Sequence, residues 1–442
     1  MISKYIILTN YFTDGGAKAA VITNALLFMV AKDNMPLNTV EKNGFQYFLK
    51  VIAPLYKIPA RKQFTELMDN KYEMLSLLMM NKLSAATTIT LTCDVWTEVL
   101  NTVSFLDVTV HFMLEGELIS VSIGVYELEE KHTATYLGTV LNTVCKDWNI
   151  PLCKIQAVIT DNAANIVKAV ETVFGKSKHV ACFSHSINLI PAKMLEKLPD
   201  LKLLIHKIKS IVSYFKHSVV AADEFRKNQS VSGTSLKLVQ EVSTRWSSTY
   251  YMLERFMQVI DHVSAVLINQ RNSPLMISAF EVATAQEILK MLKPFETITA
   301  EISGEKYPTI SKVIPMIYLL RVQINELNPE SDIGKHLKKY ILQEINARFG
   351  NIENNEHYAI ATILDPRFRK LYFESQLSCC NAIHKINKLL KDVTKNERVN
   401  VENQTSVRTE VDSTSLWSTH SLVAKANDLI LKNGFGLAYI VN

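Results

Sequence analysis

Leu91-Thr92-Cys93-Asp94-Val95-Trp96-Thr97 is the stretch that decides the fold, because its apolar and polar residues alternate with period two. Ile89 begins the same run, so the side chains at 89, 91, 93 and 95 point to one face of a strand. Asp94 points to the opposite face with its neighbours of the same parity. The alternation predicts a strand that buries one face and presents a carboxylate on the other.

Two further alternating runs follow this strand. The first run contains Leu106, Val108, Val110 and Phe112. After the turn Glu115-Gly116-Glu117, the second run contains Ile119, Val121, Ile123 and Val125. Together the three runs predict an antiparallel meander. Phe105 and Leu106 are consecutive apolar residues and interrupt the alternation, which predicts a bulge between them.

Helical and strand patterns then alternate along the chain. Apolar residues from Leu137 to Trp148 and from Ile166 to Phe174 have helical spacing. Short apolar runs, Ile155 to Thr160 and His179 to Phe183, predict a fourth and a fifth strand. The order of three antiparallel strands, helix, strand, helix and strand predicts an α/β fold with a mixed sheet of ribonuclease H type.

The rest of the chain is predicted to be mainly helical. We expect four segments: a helical region at 1–83, the ribonuclease H-like core at 84–190, a helical insertion or bundle at 191–390, and a polar linker with a short helix at 391–442. Prolines predict breaks in the helices of the first and third segments. These prolines include Pro36, Pro54, Pro59, Pro308 and Pro315.

Composition limits the classes of partner. With 48% hydrophobic residues the 442-residue chain can bury a substantial core, and the net charge of +5 permits a nucleic-acid partner without requiring one. The six cysteines lack the paired spacing of a disulfide framework or a zinc knuckle, which indicates a reducing compartment. The most apolar N-terminal stretch, Ala19 to Ala31, is shorter than a membrane span, so we expect no membrane partner. We also expect no small-molecule substrate.

Two aspartates are the strongest candidates for a metal site. Asp94 lies in the first predicted strand, and Asp161 directly follows the fourth. In this topology the two strands are neighbours, so the carboxylates converge as Mg²⁺ or Mn²⁺ would require. The alternative is that each aspartate caps a turn or helix; Asp161 precedes a predicted helix and suits that role.

Two weaker motifs lie further along the chain. Cys182 and His185 form a Cys-x-x-His pair. Such a pair could supply two of the four ligands of a zinc ion or act as a Cys-His nucleophile. We favour a third interpretation, a hydrogen-bonded anchor between strand and helix. Arg245 and Trp246 place a guanidinium beside an indole, which suits phosphate binding and stacking on an unpaired base. The alternative for Trp246 is simple burial.

Taken in order, these motifs resemble the hAT superfamily of DNA transposases, and especially the zinc finger BED domain-containing proteins derived from it. The resemblance extends from about Ile22 to Phe373. It rests on many short matches in sequence order, including Pro54-Leu55-Tyr56-Lys57-Ile58-Pro59, Thr92-Cys93-Asp94-Val95-Trp96-Thr97, Thr160-Asp161-Asn162-Ala163-Ala164-Asn165, Cys182-Phe183-Ser184-His185-Ser186-Ile187-Asn188-Leu189, Thr244-Arg245-Trp246 and Leu364-Asp365-Pro366-Arg367.

The resemblance implies an Asp-Asp-Glu triad that binds two divalent metals for DNA excision and transfer in active relatives. Asp94 and Asp161 match its two aspartates, Cys182 and His185 match the Cys-x-x-His element, and Arg245 with Trp246 matches the pair that stabilises distorted DNA. The BED finger would lie upstream of residue 1. The third carboxylate has no match after Asp365; the acids available there are Glu374, Glu397, Glu402 and Glu410.

We therefore expect a domesticated or truncated transposase-like nuclear protein, catalytically inactive, that acts by binding DNA or proteins in the manner of a transcription regulator. Self-association is a further expected contact, and Mg²⁺ or Mn²⁺ is the expected cofactor only where the ancestral site survives. Two alternatives stay open. One is an active metal-dependent transposase or nuclease whose third carboxylate is Glu301 or Glu374, and the other is a helical interaction scaffold that does not bind DNA.

Overall fold

The computed structural model describes residues 16–401, except residues 99, 231–232, 234–235, 243–244, 271–272 and 304–309 and the side chains of residues 392–401. The predicted polar linker and terminal helix therefore lie mostly outside the described residues. The chain divides into two compact units, one ending at Ala85 and the other beginning at Ala86. This division lies close to the predicted boundary between residues 83 and 84.

In the described part of the first unit, three α-helices, α1 (Ala17–Lys32), α2 (Asn43–Ile52) and α3 (Arg61–Ala85), are accompanied by a short 3-10 helix, Leu37–Glu41. Pro36, Pro54 and Pro59 all lie between helices, as predicted, because a proline ring excludes continued helix. The hydroxyls of Thr23 and Tyr56 are 2.8 Å apart and connect α1 to the proline-rich segment. The apolar core of the unit comprises Ala19, Leu26, Leu27, Val30, Val40, Leu49, Ala53, Tyr56 and Phe64.

The second unit begins with a mixed five-stranded sheet in the order β3-β2-β1-β4-β5. β1, β2 and β3 are antiparallel, whereas β4 pairs in parallel with both β1 and β5. The predicted α/β class and the adjacency of the first and fourth strands are confirmed. The strands are β1 (Ile89–Thr97), β2 (Ser104–Leu114), β3 (Glu117–Leu128), β4 (Ile155–Thr160) and β5 (His179–Ala181).

The predicted bulge between Phe105 and Leu106 was wrong. Both residues keep regular pairs with β1 and β3, and the irregularity lies where Val108 pairs with Gly124 and Thr109 with Ser122. The extra residue in β3 is Ile123. Beyond it the inward positions change parity, so Val125 is 55% exposed although the sequence pattern placed it in the core.

Beyond the sheet, the described residues of the second unit are mainly helical. Pro191 lies inside the helix Phe183–Lys197, and the predicted boundary between residues 190 and 191 falls within that helix. A new helix begins at Val313, close to the break predicted near Pro315, and this proline lies in its first turn, where its missing N–H costs no hydrogen bond. Pro308 lies outside the described residues. The helices are α4 (Ala134–Asp147), α5 (Ala164–Phe174), α6 (Phe183–Lys197), α7 (Pro199–His217), α8 (Val219–Ser230), α9 (Trp246–Gln258), α10 (Ile260–Asn269), α11 (Ala279–Ile302), α12 (Val313–Glu326), α13 (Asp332–Phe349), α14 (Glu356–Leu364) and α15 (Gln376–Val401).

One apolar cluster connects the sheet to the helices of this unit. It includes Ala157, Ile159 and Val180 from β4 and β5 together with buried residues of the helices as far as Ile386. The Tyr358 hydroxyl in α14 also donates a 3.2 Å hydrogen bond to the Ala181 carbonyl at the end of β5. The parallel part of the sheet and the helical region therefore share a core. Among the described helices, none is both long and apolar enough to cross a membrane.

Candidate metal and nucleic-acid site

Asp94 lies within β1 and Asp161 directly follows β4, at neighbouring positions of two parallel strands. Thr92 of β1 pairs with Ile159 of β4, and each aspartate follows its paired residue by two positions. Carboxylates in this register project from the same edge of the sheet. Asp94 is exposed and Asp161 is partly buried.

The electrostatics of Asp94 show that negative charge accumulates at this edge. Although the Asp94 residue as a whole is exposed, the surrounding protein partly shields its carboxyl from water, which raises the pKa of that carboxyl, and the nearby charges of Asp161 and Asp107 raise it further. The imidazole of His185 acts in the opposite direction. The Asp94 carboxyl therefore holds its proton more strongly than a free aspartate does. A bound cation would relieve the repulsion between Asp94 and the neighbouring carboxylates.

Asp107 also contributes to the negative charge beside Asp94, although the sequence analysis did not select it as a site residue. It pairs with Asp94 directly across the antiparallel strands β1 and β2. Its carboxylate accepts hydrogen bonds from Ser122 Oγ at 3.0 Å and Thr109 Oγ1 at 3.3 Å. The alternating pattern of β2 places Asp107 on the polar face of the strand. That Asp107 lies opposite Asp94 follows only from the register of the two strands.

Asp161 has a local structural contact as well as its place beside Asp94. Its Oδ1 accepts a 3.3 Å hydrogen bond from the N–H of Ala163, the residue that precedes α5. Nearby, Asn165 Nδ2 donates to the carbonyl of His132 at 2.8 Å. One oxygen of Asp161 is thus partly occupied by backbone, which leaves the second for a ligand at the sheet edge.

Cys182 and His185 form the start of α6. The Cys182 sulfur accepts the N–H of His185 at 3.5 Å, and the Cys182 N–H donates to the Thr160 carbonyl at 2.7 Å. Burial raises the pKa of the Cys182 thiol, and the charges of Asp94 and Asp161 contribute in the same direction. A protonated thiol that caps a helix suits an anchor rather than a nucleophile.

Asp107 adds a third negative charge near Asp94, but it does not complete a metal-binding group with Asp94 and Asp161 in the part of the chain that the structure describes. In that part, no three His, Cys, Asp or Glu side chains are grouped closely enough to hold a metal ion. Glu301 forms an ion pair with Lys312, and Glu374 forms one with Arg321. The Glu397 side chain and residues Glu402 and Glu410 lie outside the described part.

Arg245 and Trp246 occupy different environments although they are adjacent. The Arg245 side chain is exposed at the N-terminus of α9, where a guanidinium can reach a phosphate. Trp246 is half-buried; its ring lies edge-on to Phe295 with 6.4 Å between centroids. Its indole N–H donates a 3.0 Å hydrogen bond to Asn188 Oδ1.

Helix α6 connects the sheet edge to this pair. His185, in the first turn, acts electrostatically on Asp94, and Asn188 lies three residues later on the same side of the helix. Asn188 Oδ1 also accepts the hydroxyl of Thr299 at 2.8 Å. One short helix therefore fixes the distance between the aspartates and the Arg245-Trp246 pair. Sequence reasoning missed Asn188, although it lies within the matched motif.

Residues 180–291 match the family model of the ZBED1 RNase-like helical domain. Human zinc finger BED domain-containing protein 4 is 24% identical over 379 residues, which cover 83% of this chain and 32% of that protein. The putative AC transposase of Zea mays is 28% identical over 77% of this chain and 44% of its own length. A putative transcriptional regulator of Talaromyces stipitatus is 24% identical over 79% of this chain and 44% of its own length.

The chain spans between a third and a half of the length of these curated relatives. The matches extend over the sheet and the helical region, and they agree with the resemblance seen in the motifs. They show that the chain is similar over most of its length to transposases and to zinc finger BED domain-containing proteins.

Proposed function

We propose that this transposase-derived chain binds DNA in the nucleus and acts as a regulator without completing strand transfer. The observation that carries the proposal is the arrangement at the sheet edge, where Asp94 and Asp161 converge while Glu301 and Glu374 are held in ion pairs elsewhere. Two-metal strand transfer needs several oxygen ligands around ions about 4 Å apart. A pair of carboxylates supplies enough ligands for one hydrated ion.

The strand order supports a sheet of ribonuclease H type, which the proposal takes as the scaffold of the site. Asp94 and Asp161 would hold one Mg²⁺ or Mn²⁺, because both offer hard oxygen ligands and their mutual repulsion favours a cation. Such an ion would supply Lewis-acid chemistry or a bridge to a phosphate. Arg245 would contact the DNA backbone, and Trp246 would hold the N-terminus of α9 in place.

DNA binding can be tested with a fluorescently labelled DNA hairpin by anisotropy at several salt concentrations. We expect the affinity to fall as salt rises, because each neutralised phosphate releases counterions. Arg245→Gln should weaken binding about threefold to tenfold, as expected for the loss of one phosphate contact. Arg226→Gln is the matched control, since Arg226 is exposed but paired with Asp223.

A cleavage assay with Mn²⁺ separates the proposal from an active nuclease. We expect no aspartate-dependent cutting of the hairpin. Metal-dependent cutting that disappears in Asp161→Asn would contradict the proposal and favour an active transposase or nuclease. Absence of DNA binding, with a stable protein complex retained, would instead favour the interaction scaffold.

A further inference from the structure

The exposed face of helix α15 carries positive charge. Its sequence from residue 376 to residue 391 contains three lysines and one histidine but no aspartate or glutamate. Ala382 and Ile386 bury one side of the helix in the core of the second unit. On the opposite side, four exposed residues follow one another at spacings of three and four positions, Asn381, His384, Lys388 and Lys391. The helix therefore presents a fixed polar ridge to solvent.

Two further lysines lie beside this ridge, in the short 3-10 helix Lys176–Lys178 that leads into β5. Helix α14 connects the two places. Its Glu356 forms a 2.9 Å ion pair with Lys385 of α15. Burial lowers the pKa of the adjacent His357 imidazole, Glu356 raises it, and the positive charges of Lys178 and Lys385 lower it again. Both lysines thus lie near one side chain, so the ridge and the 3-10 helix form one surface. We call it the basic surface, and it consists of Lys176, Lys178, Asn381, His384, Lys388 and Lys391.

Few carboxylates offset the charge of the basic surface. Glu356 neutralises only Lys385, and Glu171, which acts on His179, is paired with Lys168. Within the part of the chain that the structure describes, no ion pair is formed by Lys176, Lys178 and Lys388. The whole chain has 48 lysines and arginines against 43 aspartates and glutamates, so this surface concentrates a positive charge that the overall composition does not have.

The side chains of the basic surface suit a nucleic-acid backbone better than a protein partner. From residue 381 to residue 391 the exposed side chains of α15 end in ammonium, imidazole or amide groups, and none of them is apolar. Protein interfaces depend on buried apolar or aromatic anchors. Phosphates are instead held by cations and hydrogen-bond donors, which position a duplex without reading its sequence.

The basic surface lies close to the sheet edge. Val158 of β4 pairs with His179, and Asp161 follows Val158 by three positions, about 10 Å along the strand. This distance corresponds to about three base-pair steps, so one duplex can contact both places.

We propose that the basic surface binds the sugar-phosphate backbone of double-stranded DNA and holds the duplex beside the segment that reaches Asp94 and Asp161. The inference rests on the proposed function, because it takes DNA as the partner. It gives α15 and the 3-10 helix before β5 a role in positioning DNA, whereas the sequence analysis considered only Arg245 and Trp246 for contact with DNA.

The test measures binding of a labelled duplex to the full chain by fluorescence anisotropy at several salt concentrations. The double variant Lys178→Gln/Lys388→Gln removes two cations from the basic surface. Each lost phosphate contact makes the slope of log affinity against log salt concentration shallower by about 0.9, so we expect a change of about 1–2. The matched control, Lys146→Gln/Lys339→Gln, removes two exposed lysines of α4 and α13 and should leave the slope nearly unchanged. Circular dichroism checks that both variants fold.

An unchanged slope in the folded double variant, or an equal change in the control, would overturn the assignment of this surface, even where Arg245→Gln still weakens binding. Displacement of the duplex by oligoglutamate at the same concentration of charge would also overturn it and would assign the surface to an acidic protein segment. Absence of duplex binding by the unmutated chain at every salt concentration would instead overturn the proposed function itself, so the two failures are distinguishable.

Discussion

The indole N–H of Trp246 donates a 3.0 Å hydrogen bond to Asn188, a residue 58 positions earlier in the chain. The same amide oxygen accepts the Thr299 hydroxyl, so one side chain joins α6, α9 and α11. Asn188→Leu leaves the indole N–H of Trp246 unpaired in a partly buried setting, whereas the Thr299 hydroxyl can still donate to the Phe295 carbonyl at 2.7 Å. We expect the substitution to destabilise the fold by about 1–3 kcal/mol. Urea denaturation measures this change.

A double-mutant cycle with Trp246→Phe tests whether the effect belongs to this contact. The phenylalanine keeps the ring packed near Phe295 but removes the N–H, so part of the loss in Asn188→Leu should already be present in Trp246→Phe. Strictly additive effects would show that the hydrogen bond does not couple the two residues.

Replacing Asp94 should stabilise the protein at neutral pH. The pKa of Asp94 is raised in the folded state, so its ionisation opposes folding, and this cost appears as pH rises from the ordinary aspartate value through the folded pKa. Solvent screens an exposed group, and we expect Asp94→Asn to raise Tm by only about 1–3 °C at pH 7.5. The difference should vanish near pH 3. A lower Tm for the variant at pH 7.5 would contradict this interpretation.

Mn²⁺ should stabilise the chain through the same two aspartates. At a concentration about tenfold above its dissociation constant, a ligand of the native state alone adds about 1.4 kcal/mol. We expect a rise in Tm that is lost in Asp94→Asn and in Asp161→Asn and retained in Asp332→Asn, an exposed carboxylate of α13. Equal shifts in all four proteins would show that Mn²⁺ binds elsewhere.

His111 should make the fold sensitive to mild acid. Its two ring nitrogens lie 2.9 Å from the hydroxyls of Thr92 and Ser120, and burial lowers its pKa to about 4. The unfolded chain binds the proton more readily, so stability should fall as pH drops from about 6.5 towards 4, by up to about 3 kcal/mol. His111→Gln should flatten this part of the profile of unfolding free energy against pH.

Asp365 should be a structural residue of the Leu364-Asp365-Pro366-Arg367 motif. Its carboxylate accepts hydrogen bonds from Arg367 Nη2 and Ser311 Oγ, both at 2.7 Å, and these contacts hold its pKa at about 2. We expect Asp365→Ala to cost about 2–3 kcal/mol above pH 4. The cost should decline as pH falls through 2, because protonation weakens the same contacts in the wild type. Asp332→Ala, on an exposed helix end, is the control.

The sheet could be predicted because its alternation is local, and the pairing of Asp94 with Asp161 follows from strand order. The bulge at Ile123 could not be predicted, because Val125 is apolar and continues the alternating pattern although its side chain lies on the opposite face. Asn188 and Asp107 were also missed, since their roles depend on partners that periodicity does not identify. That Arg245 and Trp246 contact DNA stays a prediction. The indole of Trp246 is half-buried, whereas an indole that stacks on an unpaired base would have an exposed face.

Ala157, Ile159 and Val180 share one core with the helices, so the sheet and the helical region are not independent modules. The segment 180–291, which is recognisable across relatives, draws core residues both from strands before it and from helices after it. It is a unit of sequence similarity rather than a unit of folding. Swapping it alone between relatives would leave an apolar surface on each side, so a successful chimera must exchange β4, the rest of α11 and the helices α12 to α15 with it.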